Sequence, residues 1–533
     1  MAETNTTGSP SYLGLKGQPL LYAVTLCCSV SFLLFGYDLG FMGGLTTNTE
    51  FLNQFGNPNS TLLGFLVSAY EVGAMFGALA QFAVGDYFGG RKNNNIIGIS
   101  TLIVGAAIQT SSFSQGQFIA GRIVAGLGLG VVTTVIPIWL SECTVPKSRG
   151  RMMAMQLSTM ILGLIIANWL DYGMAEHHTG SIQWRLPCGF QIVFAIFVLA
   201  LIPWLPESPR YLASAGKNEE AEYALAALRG GFPETPEIAY EFKEIKYAIA
   251  VESEDVGGWS DIFHDNGISG FTRVAIAFSA NFFQQMSGVN VMSSLGPYVF
   301  ENSIGMSSHN AMLVSGGLQV WYFLSSLVPW YAVDKFGRRK LFLTGSIGMF
   351  SCMTLSAIFV GVNTKGTGYA AAAVLYIFHS FFTLGWQSNM WVYPSELLPL
   401  RLRLRGGALS VVSQWMFTFV VVEITPVMID NIGYKSYIVF AIFNLCTLPL
   451  VYFCYPETSR QPLEVIDLLF ADKEDGTRPT IFEVVKNSTN PEFARSIEEQ
   501  LKENSRLRDE NENIIDETKA EAMHLEKDPA LQV

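Results

Sequence analysis

Two ionisable residues of opposite sign stand inside long apolar stretches of this 533-residue chain: Asp38, in Phe35-Gly36-Tyr37-Asp38, and Arg122, in Gly121-Arg122. A lone charge at the centre of an apolar membrane-length segment costs several kcal/mol, so each needs an opposite charge or water. As a pair they would be stable with both groups charged. Protonating the acid would release the cation, which is the physical form of a proton-coupled switch. A second constellation is Gln284-Gln285 with Asn290, three amides in another apolar stretch. Buried amides need partners. Because they both donate and accept, they suit the hydroxyls of a neutral sugar better than fixed charges would. Interhelical hydrogen bonding is the alternative use. Glu71, Glu423 and His379 also fall inside apolar runs. The two acids are expected to be paired or near water, with a second titrating site as the alternative. The histidine is expected to be a satisfied packing residue.

The elements that must hold these groups are membrane helices. Half the residues are hydrophobic and only 15% charged, and runs of about 20 apolar residues, the length that crosses a bilayer core, recur about twelve times. The net charge of −12 comes largely from the central loop and the tail. Basic residues near the apolar runs are sorted into alternate loops: Arg91, Lys92, Lys147, Arg149, Arg151, Lys335, Arg338, Arg339, Lys340, Arg401, Arg403 and Arg405. The positive-inside rule makes those loops and both termini cytoplasmic. It also argues against nucleic acid as a partner, since the basic residues are short membrane flanks. The cysteines lie mostly in apolar segments and read as packing residues rather than a disulfide framework. The first apolar run lacks a cleavage pattern and reads as a retained helix. Asn59-Ser60-Thr61 is a glycosylation sequon on the predicted outside.

The chain also repeats itself. Gly85-Asp86-Tyr87-Phe88-Gly89-Gly90-Arg91-Lys92 returns as Val333-Asp334-Lys335-Phe336-Gly337-Arg338-Arg339-Lys340. Glu142 with Arg149 returns as Glu396 with Arg403, and Pro206-Glu207-Ser208 as Pro456-Glu457-Thr458. Two similar halves that rock against each other explain such duplication, as in a transporter. The expected order is a cytoplasmic segment (1–19), a six-helix half (20–205), a cytoplasmic loop with short amphipathic helices (206–269), a second six-helix half (270–455) and a cytoplasmic tail (456–533). In the loop, Asn218–Arg229 and Ala239–Val251 read as helical. The tail from about residue 475 reads as disordered, with helix near 491–507.

Several motifs in order resemble the sugar porter branch of the major facilitator superfamily over roughly 15–470. They are Phe35-Gly36-Tyr37-Asp38 with Gly40, Gly43 and Gly44, and Gly121-Arg122 with Gly126, Gly128 and Gly130. Pro137-Ile138-Trp139 with Glu142 and Arg149-Gly150, Pro206-Glu207-Ser208-Pro209-Arg210-Tyr211-Leu212, Gln284-Gln285-Met286-Ser287-Gly288-Val289-Asn290 and Pro456-Glu457-Thr458 complete the set. The resemblance implies an all-α membrane protein of twelve transmembrane helices in two pseudo-symmetric six-helix halves. It implies a sugar site lined by Phe35, Gln284, Gln285, Asn290, Trp391 and Gln414-Trp415. It assigns proton coupling to Asp38 and Arg122. It further implies a cytoplasmic gate of Asp86, Arg91, Glu142, Arg149, Glu207 and Arg210, mirrored by Asp334, Arg338, Glu396, Arg403 and Glu457, with Asp86 serving Arg91 and Asp334 serving Arg338.

Departures from the pattern bear on the substrate. Leu157 stands where the family has a sugar-binding Gln, with Gln156 one residue earlier. Ser294-Leu295 replaces a tyrosine pair, and Tyr322 stands near a missing Asn. Gln387-Ser388 replaces Gly-Pro, and Gln387 could supply an amide. Gly90 stands where an Arg is usual. The reading is a monomeric plasma-membrane transporter for a hexose or pentose, driven by protons, with no enzyme activity, cofactor or metal. Alternatives are a facilitated uniporter, a carrier of a polyol or sugar acid such as inositol or quinate, and a non-transporting nutrient sensor.

Overall fold

The computed structural model describes residues 10–85, 89–254, 262–263, 269–399, 402–459, 461, 463–471, 477–490 and 493. The first half runs through α1 (Gln18–Leu45), a short α2 (Thr49–Gln54), α3 (Ser60–Val84), α4 (Arg91–Thr110), α5 (Gln115–Cys143), α6 (Pro146–His177) and α7 (Ile182–Leu201). Three short helices follow: α8 (Pro209–Ser214), α9 (Asn218–Arg229) and α10 (Pro236–Glu254). The second half is built from α11 (Gly270–Met286), α12 (Val289–Tyr298), α13 (Ser308–Ser326), α14 (Pro329–Phe336), α15 (Arg338–Val362), α16 (Lys365–Phe382), α17 (Ser388–Leu397), α18 (Arg403–Ile432) and α19 (Lys435–Cys454). The tail adds α20 (Leu463–Phe470) and α21 (Ile481–Ser488).

Among the described residues, ten helices are long and apolar enough to cross a membrane. The other two crossings of the twelve-helix fold are α4 and the α11–α12 pair. α4 opens on Arg91-Lys92-Asn93-Asn94-Asn95, and α11–α12 is one crossing interrupted at Gly288. That break falls within the Gln284–Asn290 motif. Gly288 takes a left-handed φ of 92°, and the Asn444 side chain donates to the Ser287 carbonyl at 3.0 Å. A freed backbone acceptor inside the bundle thus finds a donor. A second interruption, a π-helical turn at Thr383–Gln387, joins α16 to α17.

Close packing of the first half rests on small residues. A Cβ placed on Gly73 or Gly77 of α3 would lie 2.1 Å from a carbonyl oxygen of α5, and one on Gly126 or Gly130 of α5 would lie 2.1 Å from a carbonyl oxygen of α3. The two backbones approach more closely than any side chain allows. In a bundle without a hydrophobic drive between helices, that close approach supplies van der Waals contact.

The loop helices attach to the end of the bundle that carries the charged motifs. α9 has the bounds that the sequence predicted, and Ala221, Ala224 and Leu225 pack with Leu212, Ile238 and Phe242. Arg229 pairs with Glu241 at 2.6 Å and donates to the Cys143 carbonyl at the end of α5. The tail corrects one expectation. Disorder was predicted from about 475, yet 481–488 is a helix opened by a Thr480–Glu483 capping box, with Val484 and Val485 buried. The helix predicted near 491–507 lies outside the described residues, apart from position 493.

Candidate functional site

Asp38 and Arg122 meet. Their side chains are 0% and 1% exposed, and Arg122 Nη1 donates to Asp38 Oδ1 at 3.0 Å. Arg122 Nη2 donates to the Val67 carbonyl at 2.8 Å, and the guanidinium lies over the rings of Tyr70 (4.6 Å) and Phe41 (5.3 Å). The cation is therefore held by α1 and α3 together, and it keeps three of these contacts if the carboxylate is neutralised. Glu71, one residue beyond Tyr70, is buried, and its Oε2 has no hydrogen-bond partner among the described residues. Glu423 is paired as expected, accepting from Ser68 at 2.7 Å, and that bond joins the two halves.

The amide trio forms one chain of hydrogen bonds. Asn290 Nδ2 donates to Gln285 Oε1, and Gln285 Nε2 donates to Gln284 Oε1 at 3.0 Å. The break at Gly288 allows this, because it lets residue 290 on α12 turn back toward residue 285 on α11. Aromatic rings cover the interface between the halves. Phe35 of α1 meets Trp415 of α18 edge-on at 5.6 Å, and Phe32, one turn earlier, meets Trp391 of α17 at 6.0 Å. Gln414 is half-buried beside Trp415. Gln387 is 4% exposed, and neither atom of its amide has a hydrogen-bond partner among the described residues.

The two altered positions are buried. Leu157 is 5% exposed and Tyr322 3%. Tyr322 sits edge-on against His379 at 4.7 Å. His379 shares a hydrogen bond with the Leu375 carbonyl through Nδ1, while Nε2 has no partner among the described residues. It packs as predicted but is only half satisfied.

The charge motifs build two matching clusters. In the first, Arg91 grips Glu142 through Nε and Nη2 at 3.2 and 3.3 Å. The Glu207 carboxylate accepts from the backbone N–H groups of Arg91, Lys92 and Ser208 at 3.1, 3.1 and 2.8 Å. In the second, Arg338 meets Glu396 at 3.0 Å, and Glu457 accepts from the N–H groups of Arg338, Arg339 and Ser459 at 2.9, 3.1 and 2.9 Å. Each glutamate caps the positive end of the helix that starts there, where orphan N–H groups and the helix dipole favour an anion. Burial pushes the Glu207 carboxyl above its ordinary value, opposed by those N–H groups and by Lys92.

Arg91 and Arg338 each pair with a glutamate of their own half, Glu142 and Glu396. Asp86 and the side chains of Arg149 and Asp334 lie outside the described residues. Bonds that do cross between the halves include Ser315–Asn168 at 3.0 Å, Ser326–Ser158 at 3.1 Å and His309–Glu176 at 3.1 Å. Sequence reasoning missed Asp171, buried in α6 against Gly44 of α1 without a side-chain partner among the described residues. An acid among apolar residues of the first half was the signal for it. It also missed Phe32, which nothing in the sequence sets apart from other apolar residues.

Twelve crossings in two halves, a buried acid–base pair, an amide chain at a helix break and duplicated charge clusters define a membrane carrier rather than an enzyme. The chain belongs to the sugar (and other) transporter family, whose model matches residues 24–470. It is 35% identical over 466 residues to the MFS-type transporter oryC of Aspergillus oryzae, covering 86% of each chain. It is likewise 35% identical over 483 residues to the sugar transporter STL1 of Saccharomyces cerevisiae, covering 88% of this chain and 84% of the relative. Its fold matches the major facilitator proton:xylose symporter XylE bound to 6-bromo-6-deoxy-D-glucose, with a TM-score of 0.72 and 24% identity over 85% of this chain and 99% of the other.

Proposed function

We propose that this transporter takes up a monosaccharide, hexose or pentose, together with a proton, by exposing one central site alternately to the two sides of the plasma membrane. The buried Asp38–Arg122 pair carries this reading. Asp38 lies on α1 three residues after Phe35, so both stand on neighbouring parts of one helix face. A proton arriving at Asp38 breaks its ion pair with Arg122, leaves the Phe41 ring as that cation's remaining contact with α1, and loosens α1 against α3. Phe35 moves with α1, and its contact with Trp415 is one of those holding the halves together. Sugar hydroxyls bind by joining the Gln284–Gln285–Asn290 chain, with Gln387 and Gln414 as further amides and the Trp391 face against the sugar's C–H surface. The two charge clusters hold the helix ends on the cytoplasmic side, where both termini lie. One chain is the functional unit.

Leu157 in place of a sugar-binding Gln, and Tyr322 near the missing Asn, support a second reading, in which the substrate is a polyol of another shape. A sugar acid fits less well, because Arg122 is already engaged by Asp38. The test is uptake of labelled glucose, galactose, xylose, arabinose and inositol in transporter-null yeast, with and without a protonophore, for wild type and Asp38→Asn. Accumulation of a sugar above the outside level, lost with protonophore and in the variant, is the expected result. Uptake that only equilibrates and survives both treatments makes this a facilitator with a static Asp38–Arg122 clasp. Transport of inositol alone establishes the polyol reading.

A further inference from the structure

The tail helix α21 lies beyond the stretch matched by the family model, which ends at residue 470, yet it touches one of the family's motifs. The Glu457 backbone N–H donates to Ser488 Oγ at 2.9 Å, and Gln461 Nε2 donates to the Ser488 carbonyl at 2.9 Å. Glu457 is the residue whose carboxylate caps α15 through Arg338 and Arg339. α21 is held down by Val484 and Val485, 1% and 3% exposed, and by Phe482 near Phe453 of α19 at 6.4 Å. The first cluster is covered differently. There Tyr211 of α8 packs against Gly90 and lies under the Arg91 guanidinium at 5.5 Å. The two halves thus carry the same charge cluster under different covers, one fixed within the body and one supplied by the tail.

We propose that α21 is a detachable latch on the second charge cluster, which fixes the Glu457 backbone and so sets how firmly Glu457 caps α15. An eight-residue helix has little stability of its own, so its hold depends on its contacts with the body, among them Ile481, Phe482, Val484, Val485 and the Ser488 hydrogen bonds. A latch of that size can come off while the transmembrane body stays folded. Releasing it loosens one cluster of the matched pair, leaves the other unchanged, and shifts the balance between transport states. The latch itself does not depend on which substrate is carried. Its effect on rate rests on the proposed gating role of the clusters.

The experiment compares the full chain with one ending at residue 476 and with full-length Val484→Asp, which keeps the tail but cannot bury α21. Hydrogen exchange in detergent is read at Arg338 and Arg339, with Arg91 and Lys92 as the internal control. The latch predicts about five- to tenfold faster exchange at Arg338 and Arg339 in both variants, the factor that one lost hydrogen bond is worth, and no change at Arg91 and Lys92. It also predicts a change of about twofold or more in initial uptake of whichever labelled substrate the wild type carries. Equal exchange in all three proteins overturns the latch. Faster exchange with unaltered uptake overturns its regulatory role and leaves the proposed transport reading untouched. Faster exchange at both clusters indicates general loosening and also overturns it.

Discussion

Glu207 reaches the start of α4 because residue 90 has no side chain. A Cβ on Gly90 would lie 2.5 Å from Glu207 Oε2, and one on Gly337 would lie 2.7 Å from Glu457 Oε2. Both glycines also have positive φ, 110° and 85°, a region costly for other residues. The expectation that Gly90 replaces an arginine is corrected here: Gly90 is the counterpart of Gly337, each standing just before its helix, and Arg91 is the counterpart of Arg338. Gly90→Ala and Gly337→Ala are each expected to destabilise the purified protein by about 1–3 kcal/mol, from strain and a displaced cap. Thermal unfolding in detergent measures this. An unchanged midpoint for both variants rejects the capping account.

Glu207 also gives stability a pH slope. Its folded-state value is raised by burial above the ordinary 4.5. Between those two values the folded protein holds more protons at this site than the unfolded chain does, so its contribution to stability falls as pH rises through that window. Glu207→Gln removes the titration. The difference in unfolding midpoint between wild type and variant should therefore vary with pH above about 4.5, moving against wild type as pH rises. A difference that stays flat, or moves the other way, contradicts burial as the dominant influence.

The halves are also held together by single polar bonds, and one of them is accessible to test. Ser315 Oγ donates to Asn168 Oδ1 at 3.0 Å in a buried position, and Gly43 packs against the Ser294 carbonyl at the same interface. Removing one neutral hydrogen bond costs about 1 kcal/mol, which changes a two-state population about fivefold. Ser315→Ala should raise the labelling rate of a Ser294→Cys reporter by about that factor, since Ser294 is only 1% exposed here. An unchanged rate means that this bond does not hold the interface closed.

The sequence was legible where one residue's chemistry had few solutions. A charge in an apolar run must find an opposite charge, so Asp38 and Arg122 could be paired 84 positions apart. The short helix Asn218–Arg229 was legible because its apolar face and flanking breaks lie close together in sequence. The clusters were less legible. Arg91 had several acids within plausible reach, and choosing Glu142, 51 residues away, requires knowing how α4 lies on α5. The tail helix carried a readable signal, Thr480 with Glu483 before Val484 and Val485. The polar composition around it hid that signal, and its stability comes from a surface that only the folded body provides.

Gln285 is the middle link of the amide chain, donating to Gln284 and accepting from Asn290. Two roles fit that position, and they predict different kinetics. If the chain only ties α11 to α12, Gln285→Leu leaves one donor and one acceptor unpaired and lowers stability by about 1–3 kcal/mol, while the affinity of correctly folded protein for substrate stays as it was. If the chain also meets substrate hydroxyls, the same change removes a donor and an acceptor from the bound sugar. The apparent KM for uptake then rises about tenfold or more, because a site built to hydrogen-bond hydroxyls loses a contact it cannot replace. Gln285→Asn keeps the amide but shortens its reach, and should give an intermediate KM with less loss of stability. Measuring uptake kinetics and unfolding side by side separates the two roles. A lower midpoint with unchanged KM in both variants assigns the trio to helix packing, whereas a graded rise in KM assigns it to the sugar.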